Sequence, residues 1–121
     1  MTRTILTVDD SPSMRALLRH ALVGEGYTVA AAEDGLDALE RIDAAAPDLV
    51  ITDINMPRMD GFALITAVRQ TERWRHVPIL VLSTEFSDEK KARARSAGAT
   101  GWIVKPFDPP KLSAAVRRVL L

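Results

Sequence analysis

Short apolar, β-branched runs alternate along the chain with longer segments whose apolar residues recur at helical spacing. The runs fall at 4–8, 28–32, 49–52, 79–82 and 102–104, and the helical segment after each predicts five βα units. The first helix has Ser11 as N-cap and Pro12 at its first position, places Met14, Leu17, Leu18, Ala21 and Leu22 on one face, and stops at "GEGY". The second carries Leu36, Leu39 and Ile42 and ends before Pro47; the third follows Gly61 with Phe62, Leu64, Ile65 and Val68. Asp88 and Glu89 suit the positive end of the fourth, which Gly98 terminates, and Asp108 with Pro109 opens a fifth running to Leu121. "QTERWRHVP" reads as a plain connection.

The runs "LVIT" and "ILVL" are apolar without alternation, as in parallel strands covered by helices on both faces. This predicts an α/β fold, a doubly wound five-stranded parallel sheet, in which right-handed crossovers bring every strand's C-terminal end to one rim. Asp9 and Asp10 follow the first strand, Asp53 the third, Ser83 and Thr84 the fourth, and Lys105 the fifth, so all share that rim.

Length and composition narrow the field. A chain of 121 residues, 47% hydrophobic and 26% charged, is expected to form a single domain, 1–121, with no output domain. Sixteen basic and sixteen acidic side chains cancel, which gives no push towards nucleic acid or an anionic membrane. There is no cysteine, no apolar run of membrane length, and no apolar stretch before the first acids that could form a signal-peptide core. The expected location is the cytoplasm, and the expected oligomeric state a monomer or transient dimer.

Three acids on one rim are costly: two carboxylates about 4 Å apart repel by roughly 4 kcal/mol at an effective dielectric near 20. A divalent cation offsets this, and an all-oxygen pocket suits magnesium; calcium fits less well because the acid ladder of an EF-hand loop is missing. Beside such an ion Asp53 can attack a phosphoryl group, with the Lys105 ammonium and the Ser83 hydroxyl placed to receive its oxygens. Singly, each residue has a simpler use. Asp9 or Asp10 can cap the first helix, Ser83 can satisfy its own turn, and Lys105 can be a surface lysine.

Together, "VDDS", "TDINMPRMDG", "LST" and "KPF" after strands one, three, four and five resemble the receiver domains of two-component response regulators, above all chemotaxis regulators of the CheY type, over essentially the whole chain. The resemblance implies a flavodoxin-like fold of strand order 2-1-3-4-5, an order that spacing alone does not yield. It also implies that Asp53 is the phosphoacceptor and that Asp10, Asp53 and the Asn55 carbonyl bind Mg2+, with Asp9 acting through water. Lys105 contacts the phosphoryl group. The family's switch hydroxyl lies thirty positions after the acceptor, at Ser83, and its aromatic switch three before the lysine, at Trp102. Asn55 and Glu85 stand where the family tunes phosphate lifetime, and a cis bond joins Lys105 to Pro106.

Two departures stand out: serine replaces the usual threonine, and tryptophan the usual tyrosine or phenylalanine. The implied partners are a sensor histidine kinase or histidine phosphotransfer protein and a downstream effector that reads the face of helix four, strand five and helix five. The chain is then a phosphoacceptor rather than an enzyme, with a phosphorelay intermediate as the neighbouring alternative. A haloacid-dehalogenase-type phosphohydrolase needs an acid where Asn55 stands. A flavodoxin-like cofactor binder would meet Asp9 and Asp10, which repel phosphate, and an inactive receiver would not keep the acid set. His20 and His76 are expected at the surface, Lys90, Lys91, Arg93 and Arg95 on a solvated face, and Gly61 in a left-handed turn.

Overall fold

The computed structural model describes residues 2–120. β1 (Thr4–Val8), β2 (Thr28–Ala32), β3 (Leu49–Thr52), β4 (Ile79–Ser83) and β5 (Gly101–Val104) form one parallel sheet in the order β2-β1-β3-β4-β5. The helices are α1 (Pro12–Gly24), α2 (Gly35–Ala45), α3 (Gly61–Gln70), α4 (Asp88–Ala97) and α5 (Pro109–Val119). The expectation that the last helix reaches Leu121 falls, at that residue, outside the described residues.

Alternate residues of each strand feed two cores. Ile5, Leu49, Ile51, Leu80 and Leu82 meet Leu18 and Leu22 of α1 and Leu112 and Val116 of α5 on one face. Leu6, Val50, Ile79 and Val81 meet Ala38 and Ile42 of α2, Leu64, Ile65 and Val68 of α3, and Ala94 of α4 on the other. Burial on both faces is why these strands lack a polar alternation. Ser11, Asp34, Asp60 and Ser87 cap α1 to α4, each accepting a main-chain N–H three residues on, and Gly98 closes α4 at φ +118°.

Several expectations are corrected. Leu17 is 55% and Leu36 37% exposed, outside both core clusters, because helical spacing fixes an apolar stripe but not its edges. Asp108 and Pro109 do open α5, as expected, without a side-chain capping bond from Asp108. The connection "QTERWRHVP" contains a 3-10 turn, Glu72–Trp74, whose Trp74 is buried and donates its indole N–H to Asp43 at 2.7 Å. Arg69 holds this region together by donating to the carbonyls of Gly98, Arg75 and Val77, and burial lowers its pKa.

Gly61 is not left-handed; the positive φ beyond β3 belongs to Arg58, at 64°. Gly61 is glycine for lack of space, since a Cβ there would lie 2.2 Å from the Asp53 carbonyl oxygen and 2.8 Å from Ile54 Cα. Arg58 reaches across to Asp34 with two bonds of 2.7 and 3.0 Å, and Gly35 N–H donates to the Met59 carbonyl. The loop after β3 is thereby fastened to the start of α2.

The Arg58 guanidinium and the Asp37 main-chain N–H hold Asp34 below its ordinary pKa of 3.8. A depressed carboxylate pKa contributes stability that is complete above the unfolded value and is lost as pH falls through the folded one. The wild type should therefore lose stability more steeply below about pH 4 than Arg58→Gln does. Urea melts of the two proteins across that range check this; parallel curves would show that the pair contributes nothing.

Candidate functional site

The chain leaves β1 for β2 on one side and later enters β3 on the other, so the crevice between β1 and β3 is the point where strand order reverses. Asp9 and Asp53 emerge at this crevice, since Val8 and Thr52 are paired in register. One carboxylate oxygen from each of Asp9, Asp10 and Asp53 lies within 4.8 Å of the others. Asp9 is buried, Asp53 half-buried and Asp10 exposed, giving a cluster with a closed floor and an open mouth.

Lys105 supplies the counter-charge. Its Nζ donates to Asp9 Oδ2 at 2.7 Å and Asp53 Oδ2 at 2.8 Å, and its side chain is 9% exposed. Burial pulls the ammonium's pKa down, but the bonds and charges of Asp53 and Asp9 outweigh it and the pKa is raised. The second oxygens are also engaged: Ser11 N–H donates to Asp9 Oδ1 at 2.9 Å and Ile54 N–H to Asp53 Oδ1 at 2.6 Å. The peptide between Lys105 and Pro106 is cis.

On the β4 side, Ser83 is fully buried, and its Oγ accepts from Glu85 N–H at 3.2 Å. Trp102, half-buried, donates its indole N–H to the Glu85 carbonyl at 3.0 Å. The Glu85 carboxylate accepts from Lys90 Nζ at 2.9 Å and faces the Asn55 amide at 3.5 Å. Lys90 is the main cause holding the Glu85 pKa below its ordinary value.

Asp9, Asp10, Asp53 and Lys105 thus converge at the mouth, while Asn55, Glu85, Ser83 and Trp102 are linked to one another through Glu85. Two features escaped the reading of the sequence. The Asp34–Arg58 clamp left a trace in the D-x-x-D spacing of Asp34, at the N-cap of α2, and Asp37, in its first turn, a capping pattern, but nothing local announces its arginine. The Lys90–Glu85 pair was hidden because Lys90 sits in a basic stretch that reads as a solvated face.

The family model described as the response regulator receiver domain matches residues 5–117. The chain belongs to the response regulator receiver domain family. This receiver domain is 41% identical over 118 residues to chemotaxis protein CheY1 of Helicobacter pylori, covering 96% of this chain and 95% of that one. It is 37% identical over 116 residues to chemotaxis protein CheY of Pseudomonas aeruginosa, covering 95% and 94%. Among solved structures it is similar to chemotaxis protein CheY4 of Vibrio cholerae, with TM-score 0.95, 45% identity and coverage of 99% and 100%. Receiver domains of this kind act in two-component and chemotaxis signalling as signalling proteins, not as enzymes of the ordinary sort. Among the described residues, no helix is long and apolar enough to cross a membrane.

Receiver domains generally bind Mg2+, and the donor set fits that ion: carboxylate oxygens converging beside an open mouth, where a small hard cation keeps part of its water. Lys105 already holds two of these acids. Lys105→Met should cost about 2 kcal/mol in metal-free buffer, because the acids lose their counter-charge while Asp10 still lets water screen them. Millimolar magnesium should restore most of the loss. Urea melts with and without the ion check this, and a variant equally stable in both would show that the cluster takes up no divalent cation.

Proposed function

We propose that the chain is a receiver that accepts a phosphoryl group on Asp53 from a histidine kinase or histidine phosphotransfer protein and passes the signal to an effector in the cytoplasm. The observation that carries this reading is the convergence of Asp9, Asp10 and Asp53 within 4.8 Å, with Lys105 bridging Asp9 and Asp53. Held by Asp10, Asp53 and the Asn55 carbonyl, with Asp9 acting through water, Mg2+ would neutralise charge that otherwise opposes an incoming phosphoryl group.

The chain's own residues account for the rest. Asp53 Oδ2, once Lys105 turns from it, attacks phosphorus; the new P–O bond forms as the bond to the leaving imidazole or carboxylate breaks, and the electron pair departs with the leaving group. Lys105, already 2.8 Å from Asp53, follows onto a phosphoryl oxygen. Asn55 offers an amide where a phosphohydrolase needs an acid, so no side chain at that position activates water against the product.

The aspartyl phosphate adds roughly two charges and three acceptor oxygens. Ser83 turns its hydroxyl towards them and releases the Glu85 N–H, and because Glu85 also holds Trp102 through its carbonyl, the displacement reaches the α4-β5-α5 face. The smaller serine keeps this bond without the methyl of the family's threonine.

Incubation with acetyl phosphate and magnesium, followed by intact mass, tests the proposal. A single added phosphoryl group is expected, lost on chelation before donor is added, and accompanied by a change in Trp102 emission in a Trp74→Phe background. No label at saturating donor and magnesium overturns it.

A further inference from the structure

Glu85 is the most connected residue of the loop between β4 and α4. Its N–H donates to Ser83 Oγ, its carbonyl accepts from Trp102 Nε1, and only its side chain is left free to choose a partner. Two donors approach Oε1 together: the Asn55 amide at 3.5 Å, the outer limit of a hydrogen bond, and the Lys90 ammonium at 2.9 Å. The charged, shorter bond decides where the carboxylate sits. Lys90 is out of place by ordinary helix rules, because it stands in the first turn of α4, where the dipole disfavours a cation and Asp88 and Glu89 already serve. A residue that breaks a local rule calls for a reason elsewhere.

We propose that Lys90 is a positioning residue for the phosphoacceptor, acting through Glu85: it holds the Glu85 carboxylate on the α4 side of the site mouth and out of the path of an anionic donor. Without Lys90 the carboxylate closes on the Asn55 amide, its remaining side-chain partner among the described residues, and stands over Asp53. This rests on Asp53 as the phosphoacceptor. Two consequences have opposite sign. Anionic donors enter more slowly, while the added negative charge draws Mg2+ in more tightly. Partly exposed ion pairs of this kind, here with side chains 40% and 33% exposed, correspond to factors of roughly two to five.

The test uses the intact protein as wild type, Lys90→Ala, Lys90→Arg, Glu85→Gln and the Lys90→Ala, Glu85→Gln double variant. Labelling by acetyl phosphate is followed by intact mass, and Mg2+ binding by calorimetry. Lys90→Ala should label about three-fold more slowly and bind Mg2+ about three-fold more tightly, Lys90→Arg should match wild type, and in the Glu85→Gln background the alanine change should have no effect. The same factor in both backgrounds would mean that Lys90 acts by its own charge, and would overturn the inference. So would unchanged labelling of Lys90→Ala beside a labelled wild type. A wild type that takes no label overturns the phosphoacceptor reading instead; calorimetry then still decides, equal Mg2+ affinities removing the tether and a Glu85-dependent difference upholding it.

Discussion

Asp53→Asn is expected to take no phosphoryl label under conditions that label the wild type fully. The carboxamide oxygen is a poor nucleophile, and the change removes one of the anions that converge at the mouth, so Mg2+ affinity should fall by at least roughly ten-fold. Unfolding would not be the cause. With Lys105 still 2.7 Å from Asp9, the substitution lessens the mutual repulsion among the acids. Thermal melting should therefore show a variant at least as stable as the wild type in metal-free buffer. Equal labelling of the two proteins would remove Asp53 from its role; a variant that is both unlabelled and unfolded would show that the acids stabilise the fold, contrary to the repulsion reasoned here.

Gly61→Ala is expected to lower stability by upwards of about 3 kcal/mol, at or beyond the upper end of ordinary overpacking. The new methyl would meet the Asp53 carbonyl and Ile54 Cα, which are backbone and cannot swing aside as a side chain would. Either α3 retreats, opening the core around Phe62, Leu64 and Ile65, or the peptide that carries the acceptor shifts. In the second case labelling slows by about a hundred-fold, since displacement of a reacting group by an ångström has that order of cost. Urea melts with labelling on the folded fraction separate the routes. A variant with wild-type stability and rate would show that the close contact is not rigid.

Much of the frame could be read from the amino acids because its determinants are local. Short apolar, β-branched runs located all the strands to within a residue at either end, and Ser11, Pro12 and Gly98 marked helix ends through their own backbone preferences. The shared rim followed from the handedness of parallel crossovers, which is why Asp9, Asp53, Ser83 and Lys105 could be grouped without coordinates. What was lost is what depends on neighbours distant in sequence. Glycine after aspartate in a turn reads as a position that can turn left-handed, whereas at Gly61 the constraint is the approach of Asp53. Leu17 and Leu36 satisfy helical spacing yet face water, because periodicity fixes a stripe and not its edges. Trp74 stands in a stretch that reads as a loose connection, and its burial among apolar residues of the core, with its bond to Asp43 thirty-one residues earlier, depends on neighbours distant in sequence.

The Lys105–Asp9 pair joins residues ninety-six positions apart. On a translating ribosome the acids that follow β1 and β3 appear well before their lysine, so a partly made chain must carry unneutralised anions until β5 emerges. A fragment ending short of Lys105 would lack that counter-charge, so its acids would meet at the rim with only water and free ions to screen them.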